Sequence, residues 1–420
     1  MTKLLWIKHA AQLATLATKE VGPRRKKEMS ELGLIENGSI LVRNGIIQDV
    51  GRTDELEARH ADHLEEATIV DATNHLITPG LVDSHTHVVF AGSREQEFEM
   101  RLSGATYMEI MESGGGIHAT TRMTRAASVD ELLEQTMKRL DSFLAHGVTT
   151  IEAKSGYGLD LETELKQLRV LKRLQQEHPI DLVPTFMGAH AIPAEFDSRA
   201  EEYVQFIIDV MLPIIAKERL AEFQDVFCEQ GVFTKEQAMR ILEAGKKWGL
   251  LPKIHADEII SYGGVEVAAR VGAISAEHLL KTTKEGMKAL ARAGTIACLL
   301  PATALFLHEE AAKGREIIDA GVPVAISTDC NPGSSPTTSM PLVMNLACLL
   351  MRLTPREALT AATFNGACAL NREKCIGSLE VGKQGDVVMW KVKDYRELQY
   401  QFGVNHVKSV WKKGVQVVNK

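Results

Sequence analysis

Two histidines separated by one residue, His85 and His87 in Asp83-Ser84-His85-Thr86-His87, stand inside the apolar stretch 78–94. Side chains of an extended strand alternate between faces, so both imidazoles project the same way and can reach one point in space, as metal ligation requires. On a helix the same spacing would splay them by about 200°. Alone, such a pair is also at home in a half-buried strand, so the reading depends on what the rest of the chain supplies.

Three later β-rich runs end in residues of the same chemical kind. Run 252–258 ends His255-Ala256-Asp257-Glu258, run 273–279 carries Glu277-His278, and run 322–329 ends in Asp329. Three or four histidines and a carboxylate, gathered at one place, suit Zn²⁺ or a similar first-row ion. No thiolate is needed: Cys330 follows Asp329 directly, alternates to the other face and reads as packing. A coordination position left open would hold a water, whose pKa a divalent metal lowers to about 7. The chemistry implied is metal-assisted hydrolysis.

Such residues need a scaffold that brings distant strand ends together. From Gly80 to about residue 370 a short β-rich run followed by a helical segment repeats eight times. The runs are 81–90, 148–158, 181–190, 222–229, 252–258, 273–279, 295–301 and 322–329. This alternation predicts a (β/α)₈ barrel, whose active site lies at the C-terminal ends of the strands. Periodicity leaves a doubly wound open sheet as the alternative. The two ends of the chain differ from the middle. Asn44-Gly45 and Lys413-Gly414 each join two short β-runs as hairpins. The expected organisation is α/β: residues 78–370 form the barrel, and 1–77 with 371–420 form one small β domain.

Composition bounds the partners. The 420 residues are 45% hydrophobic with a formal charge of -7, which argues against a nucleic-acid surface. The basic run 23–27 is flanked by Glu20, Glu28 and Glu31 and reads as a solvated loop. Six cysteines show no CxxC pairing and read as reduced thiols. The first residues, interrupted by Lys8, His9 and Gln12, lack a signal-peptide core, and no apolar run is long enough to span a membrane. The expectation is a cytoplasmic protein acting on a small molecule, without nucleic-acid or membrane partners.

The order HxH on the first strand, histidines on the fifth and sixth and aspartate on the eighth resembles the amidohydrolase superfamily. The flanks agree: 74–87 resembles that family's entry into its first strand, and 354–370 with 377–390 resembles its closing helix and return to the small β domain. Within it, the blocks at 85–117, 152–160, 184–193, 255–258 and 327–337 are similar to the imidazolonepropionase family. That family opens the ring of 4-imidazolone-5-propanoate to N-formimino-L-glutamate in histidine degradation.

The resemblance implies that His85, His87, His255 and Asp329 bind one metal ion per chain, zinc or iron, in a homodimer. Binuclear relatives need a bridging ligand from the fourth strand. Glu229 is the group there that would serve, and Lys154 on the second run reads as structural. Glu258 would shuttle the proton from water to the leaving ring nitrogen. His278 would polarise the attacked carbonyl or orient the nucleophile, with a fifth ligand position as the alternative. Asp329 would share the base role. Arg94 would hold the substrate's propionate bidentately, and Tyr157, His190, Asn331, Gly333 and Ser334 match family substrate contacts. The glycine-rich segment 113–122 lacks the Lys-Ser/Thr of a phosphate loop and reads as a flap over the mouth. Two other readings compete. One is a deaminase of the same superfamily acting on a cytosine- or guanine-like ring. The other is a non-catalytic metal-binding barrel, against which the presence of both Glu258 and Asp329 argues.

Overall fold

A computed structural model describes residues 4–17, 22–61, 66–105, 109 and 114–420. Strands β1 (Leu4–Ala14), β2 (Leu34–Arg43), β3 (Ile46–Arg52), β4 (Thr68–Asp71) and β5 (Leu76–Pro79) come first. Then follow β6 (Leu81–Asp83), β7 (Val148–Lys154), β8 (Asp181–Ala189), β9 (Phe223–Cys228), β10 (Leu251–Ala256), β11 (Ser275–His278), β12 (Ile296–Leu299) and β13 (Val324–Ile326). Strands β14 (Val387–Trp390), β15 (Val407–Lys412) and β16 (Val415–Asn419) close the chain.

Strands β6 to β13 pair in sequence order, all parallel. A doubly wound sheet would reverse its strand order at a switch point; here the order runs on until the last strand meets the first. Thr86 bridges Cys330 in parallel. The His87 amide donates to the Cys330 carbonyl at 3.0 Å, and the Asp329 amide to the His85 carbonyl at 3.1 Å. The fold is the expected (β/α)₈ barrel. Its first strand is shorter than the run 81–90, because beyond Asp83 the backbone bonds to the loop after β13 instead of continuing a regular ladder.

The connecting helices form for local reasons. Helices Val129–Ala145 and Lys235–Lys247 start with reciprocal capping boxes, Ser128 with Glu131 and Thr234 with Gln237. The second is followed by Gly249 at φ 85°, where the Leu250 amide turns back to the Gly245 carbonyl. Their apolar faces pack on the outside of the strand ring in one continuous core.

The remaining eight strands form a second sheet drawn from both ends of the chain. β14 pairs antiparallel with β5, so the C-terminal segment is stitched to the strand just before the barrel. Asn44 and Gly45 have φ 50° and 84°, and Lys413 and Gly414 have 49° and 70°, the all-positive pattern of a type I′ hairpin turn. Only Gly80 separates β5 from β6. A Cβ there would lie 2.2 Å from Thr149 Oγ1 on β7, which is why the chain crosses between sheets at a glycine.

Two segments differ from the sequence reading. Arg24 in the basic run is buried, donates to the Leu16 carbonyl at 2.5 Å and to the Glu31 carbonyl, and stacks on Phe364 at 5.0 Å. Orphan carbonyls rather than solvent take up its charge. In segment 113–122, Ser113 lies outside the described residues and Ile117 opens a helix, Ile117–Ala126, so its second half is helical rather than loop.

Gly80→Ala should lower stability by about 1–3 kcal/mol, since a stiff β-branched neighbour cannot yield. Adding Thr149→Ala, which removes the two nearest atoms, should recover part of that loss in urea unfolding.

Candidate metal centre and substrate pocket

The histidines come from three strand ends and meet on the barrel axis. His85 and His87 follow β6, His255 is the penultimate residue of β10, and His278 ends β11. All are buried. Ring centroids lie 4.6 Å apart for His85 and His255, 5.1 Å for His255 and His278, and 5.4 Å for His85 and His87. Asp329 Oδ1 lies 3.4 Å from His85 Nε2 and 3.6 Å from His87 Nε2.

These distances fit shared ligation of an ion. Two ligands of a tetrahedral ion with bonds of about 2.1 Å sit about 3.4 Å apart. Donor atoms of His85, His87 and His255 lie within 4.8 Å of one another, as do those of His85, His278 and Asp329. His85 Nε2 and His87 Nδ1 are buried with no hydrogen-bond partner among the described residues. A ring nitrogen is costly to bury without a partner. Burial drives the pKa values of His85, His87 and His278 well below the usual histidine value, so they stay neutral and able to ligate.

The outer ring nitrogens are held. His85 Nδ1 donates to Glu277 Oε2 at 2.9 Å and His255 Nδ1 to Asp225 Oδ1 at 3.0 Å. Burial would raise the Asp225 carboxyl, but the Lys154 ammonium and the hydrogen bonds from His255 and Lys154 outweigh it and keep the group ionised. An ionised carboxylate only accepts, so the proton sits on Nδ1 and Nε2 faces inward. Thr303 Oγ1 donates to Asp329 Oδ2 at 2.7 Å, while burial lifts the Asp329 carboxyl to about 6.

Backbone strain aims the last of these side chains. Ser275 and Glu277 face the barrel interior, so strict alternation would send His278 outward. His278 instead adopts φ 70°, and Asp257 and Asp329 adopt 50° and 53°. Left-handed residues of this kind are uncommon outside glycine and concentrate at functional sites. Asp257 accepts the amides of Tyr262, Gly263 and Gly264. That turns Asp257 into its loop and leaves Glu258 facing the mouth.

A cavity of about 540 Å³ opens over the cluster. Arg94, Tyr157, His190, Glu258, Asn331, Gly333 and Ser334 all line it together with His87, His255, His278 and Asp329. A larger cavity, of about 680 Å³ beside Phe90, Phe98 and Phe306, contains none of the histidines and is not where this chemistry sits. Glu258 Oε1 lies 3.4 Å from His278 Nδ1, and burial pushes its carboxyl up to about 8. His190 donates Nδ1 to the Gly156 carbonyl at 3.0 Å and stacks on His87 at 4.9 Å; burial takes its pKa down to about 3, so Nε2 is free as an acceptor. The Asn331 side chain braces its own loop, accepting the Gly333 and Ser334 amides at 2.8 Å each and donating to the Asp329 carbonyl at 2.7 Å. It shapes the wall with its amide already spent.

Arg94 is not a free cation. Its Nη2 donates to Glu97 Oε2 at 2.6 Å, and Gly333 makes room for it, since a Cβ there would lie 2.1 Å from Arg94 Nη1. Glu229 spends both oxygens on the amides of Gln230 and Ile259, so it is not turned toward a second ion. The sequence reading names Asp225 and Glu277 at most as members of strand runs, without a role, and passes over Thr303, Glu97 and Arg101. The signal for the first two is charge inside otherwise apolar strand runs. Arg101 also lines the cavity, and its Nη1 is buried with no acceptor among the described residues.

Residues 76–417 match the Amidohydrolase family. The imidazolonepropionase of Brevibacillus brevis is 58% identical over 418 residues, covering 100% of this chain and 99% of its own. That of Geobacillus kaustophilus is 58% identical, covering 99% and 98%. A zinc-bound adenosine deaminase from Xanthomonas campestris superposes with a TM-score of 0.72 at 19% identity, covering 99% of this chain and 93% of its own. At that identity the likeness speaks for the fold alone.

Purified protein should carry about one tightly held divalent ion per chain. His255→Ala is expected to lose it, as read by elemental analysis; a full complement of metal in that variant would remove His255 from the ligand set.

Proposed function

Because this chain belongs to the amidohydrolase family, and within it to the imidazolonepropionases, we propose that it hydrolyses the ring of 4-imidazolone-5-propanoate to N-formimino-L-glutamate. The observation that carries the substrate assignment is a guanidinium pair, Arg94 and Arg101, set in the same cavity as the histidine cluster. One carboxylate, Glu97, pairs with Arg94, while Arg94 Nε and Arg101 Nη1 remain buried without acceptors among the described residues. Those two unpartnered guanidinium nitrogens leave a place for a substrate carboxylate. A neutral nucleobase would leave that charge unmet.

His85, His87, His255 and Asp329 are the residues that would hold the ion, and the family is metal-dependent. Zinc suits three imidazoles and one carboxylate, and iron is the alternative the donor set also admits. A bound divalent ion supplies Lewis acidity toward the ring carbonyl and acidifies water. The chain's own groups do the rest. Net hydrolysis adds water at the carbonyl carbon and breaks its bond to the adjacent ring nitrogen, so one proton leaves the water and one reaches that nitrogen. Glu258, whose carboxyl burial pushes up to about 8, takes the first at its carboxylate oxygen and delivers the second. His278 stands beside it, donating toward the oxygen on which negative charge develops. Tyr157 and His190 flank the ring, and the Asn331–Ser334 loop closes the side. A cytoplasmic homodimer is part of the same reading. Among the described residues, no helix is long and apolar enough to cross a membrane.

The decisive assay is turnover of 4-imidazolone-5-propanoate to N-formimino-L-glutamate beside cytosine and guanine; deamination of either base without ring opening would overturn the assignment. Glu258→Gln should keep its metal and bind substrate while kcat falls by about 10²–10⁴. Near-normal turnover would leave Asp329 or His278 as the base.

Arg94→Ala should raise KM by about 10–100-fold with metal content unchanged, because a charge-assisted bond contributes about 1.5–3 kcal/mol. An analogue lacking the carboxylate should bind poorly to the parent enzyme and lose little more in the variant. If the two changes simply add, Arg94 does not touch the propionate.

A further inference from the structure

Beneath the histidines the barrel interior holds two lysines and three carboxylates, all fully buried or nearly so: Lys154, Lys253, Glu152, Asp225 and Glu277. Barrels of this class ordinarily fill that space with bulky branched apolar side chains. Buried charge is unfavourable unless every member is paired. Here the five form one connected chain. Lys154 Nζ donates to Asp225 Oδ2 at 2.7 Å and to Glu152 Oε1 at 2.8 Å. Lys253 Nζ lies 3.1 Å from the same Glu152 oxygen and 3.6 Å from Glu277 Oε1, and donates to the Ser84 carbonyl at 2.8 Å. Hydroxyls add to the carboxylates: Thr185 donates to Glu152 Oε1 at 2.6 Å and Ser275 to Glu277 Oε1 at 2.5 Å, while Glu152 Oε2 has no hydrogen-bond partner among the described residues.

The two ends of this chain are the carboxylates that hold the imidazoles. Asp225 gives one oxygen to Lys154 and the other to His255, and Glu277 turns one oxygen toward Lys253 and gives the other to His85. His85 and His255, on opposite arms, are therefore oriented by a single unit running His85, Glu277, Lys253, Glu152, Lys154, Asp225, His255. Four carboxylates, counting Asp329, face two lysines, a formal excess of two negative charges that a divalent cation balances.

We propose that Lys253 and Lys154 are positioning residues for the metal centre, pinning Glu277 and Asp225 so that both imidazoles present Nε2 to one point. Lys253 is the sharper case: it touches no histidine, and it lies outside the substrate cavity. The inference rests on the reading of these histidines as a metal centre and is independent of the substrate.

The test is zinc affinity, measured by chelator competition from the zinc-loaded protein, for the parent, Lys253→Met, Glu277→Gln and the double variant. Visible spectra of the cobalt-substituted forms are recorded alongside. Lys253→Met should bind zinc about 10–100-fold more weakly, with an altered cobalt spectrum. Glu277→Gln should do the same, and the double variant should be no weaker than Glu277→Gln alone, since the lysine acts through that carboxylate. Unchanged zinc affinity in Lys253→Met, or losses that multiply in the double variant, would overturn the proposal. Should Lys253→Met not fold, Glu277→Gln and the charge-paired double variant decide: equal affinities below the parent support it, and a further loss in the double overturns it. A parent protein that binds no zinc would instead bring down the metal centre itself.

Discussion

An imidazole aims one nitrogen's lone pair at a shared point most firmly when the proton on its other nitrogen has an acceptor behind it. In this barrel the acceptors are carboxylates, Glu277 for His85 and Asp225 for His255. A buried carboxylate in turn demands its own partners. Lysines meet that demand, and a third carboxylate, Glu152, joins the lysines to each other. One requirement at the centre thus propagates outward through the interior and explains why β7, β9, β10 and β11 carry charge where apolar packing is usual.

The same requirement accounts for local strain. Glu277 must face the interior to reach His85, which leaves its neighbour His278 on the wrong face of β11. A left-handed backbone at His278 returns that side chain to the mouth. Asp257 solves a related problem on β10: turned into the following loop, it gathers three backbone amides and lets Glu258 face the cavity. Departures from regular strand geometry sit where the chemistry needs side chains that alternation would withhold.

Farther out, the mouth is shaped by compensation between neighbours. Arg94 needs the empty space at Gly333 and the charge of Glu97, whose other oxygen accepts the Gly116 amide at 3.2 Å. The helix carrying Glu97 and Arg101 is thereby linked to the start of the next one and to the loop after β13. The second sheet closes the opposite boundary: β5 enters β6 across one glycine, so the segment carrying His85 and His87 is anchored by a strand that is itself paired with β14.

The amino-acid sequence by itself determined the eightfold alternation, the two Asn/Lys-Gly hairpins, the common face of His85 and His87, and the histidines and carboxylate at the strand ends. These are local properties, set by side-chain period and turn chemistry within a few residues. Tertiary structure alone decided the rest. His255 finds Asp225 thirty positions away because β9 and β10 lie side by side in one register. His85 finds Glu277 only because the ring of strands closes. Arg24 reads as solvated until the carbonyls of Leu16 and Glu31 are seen to surround it, and Arg94 reads as free until Glu97 is placed against it. Partners across a barrel depend on strand stagger and closure, which no stretch of sequence carries, and it is those partners that set which nitrogen is protonated and which charge is left for a ligand.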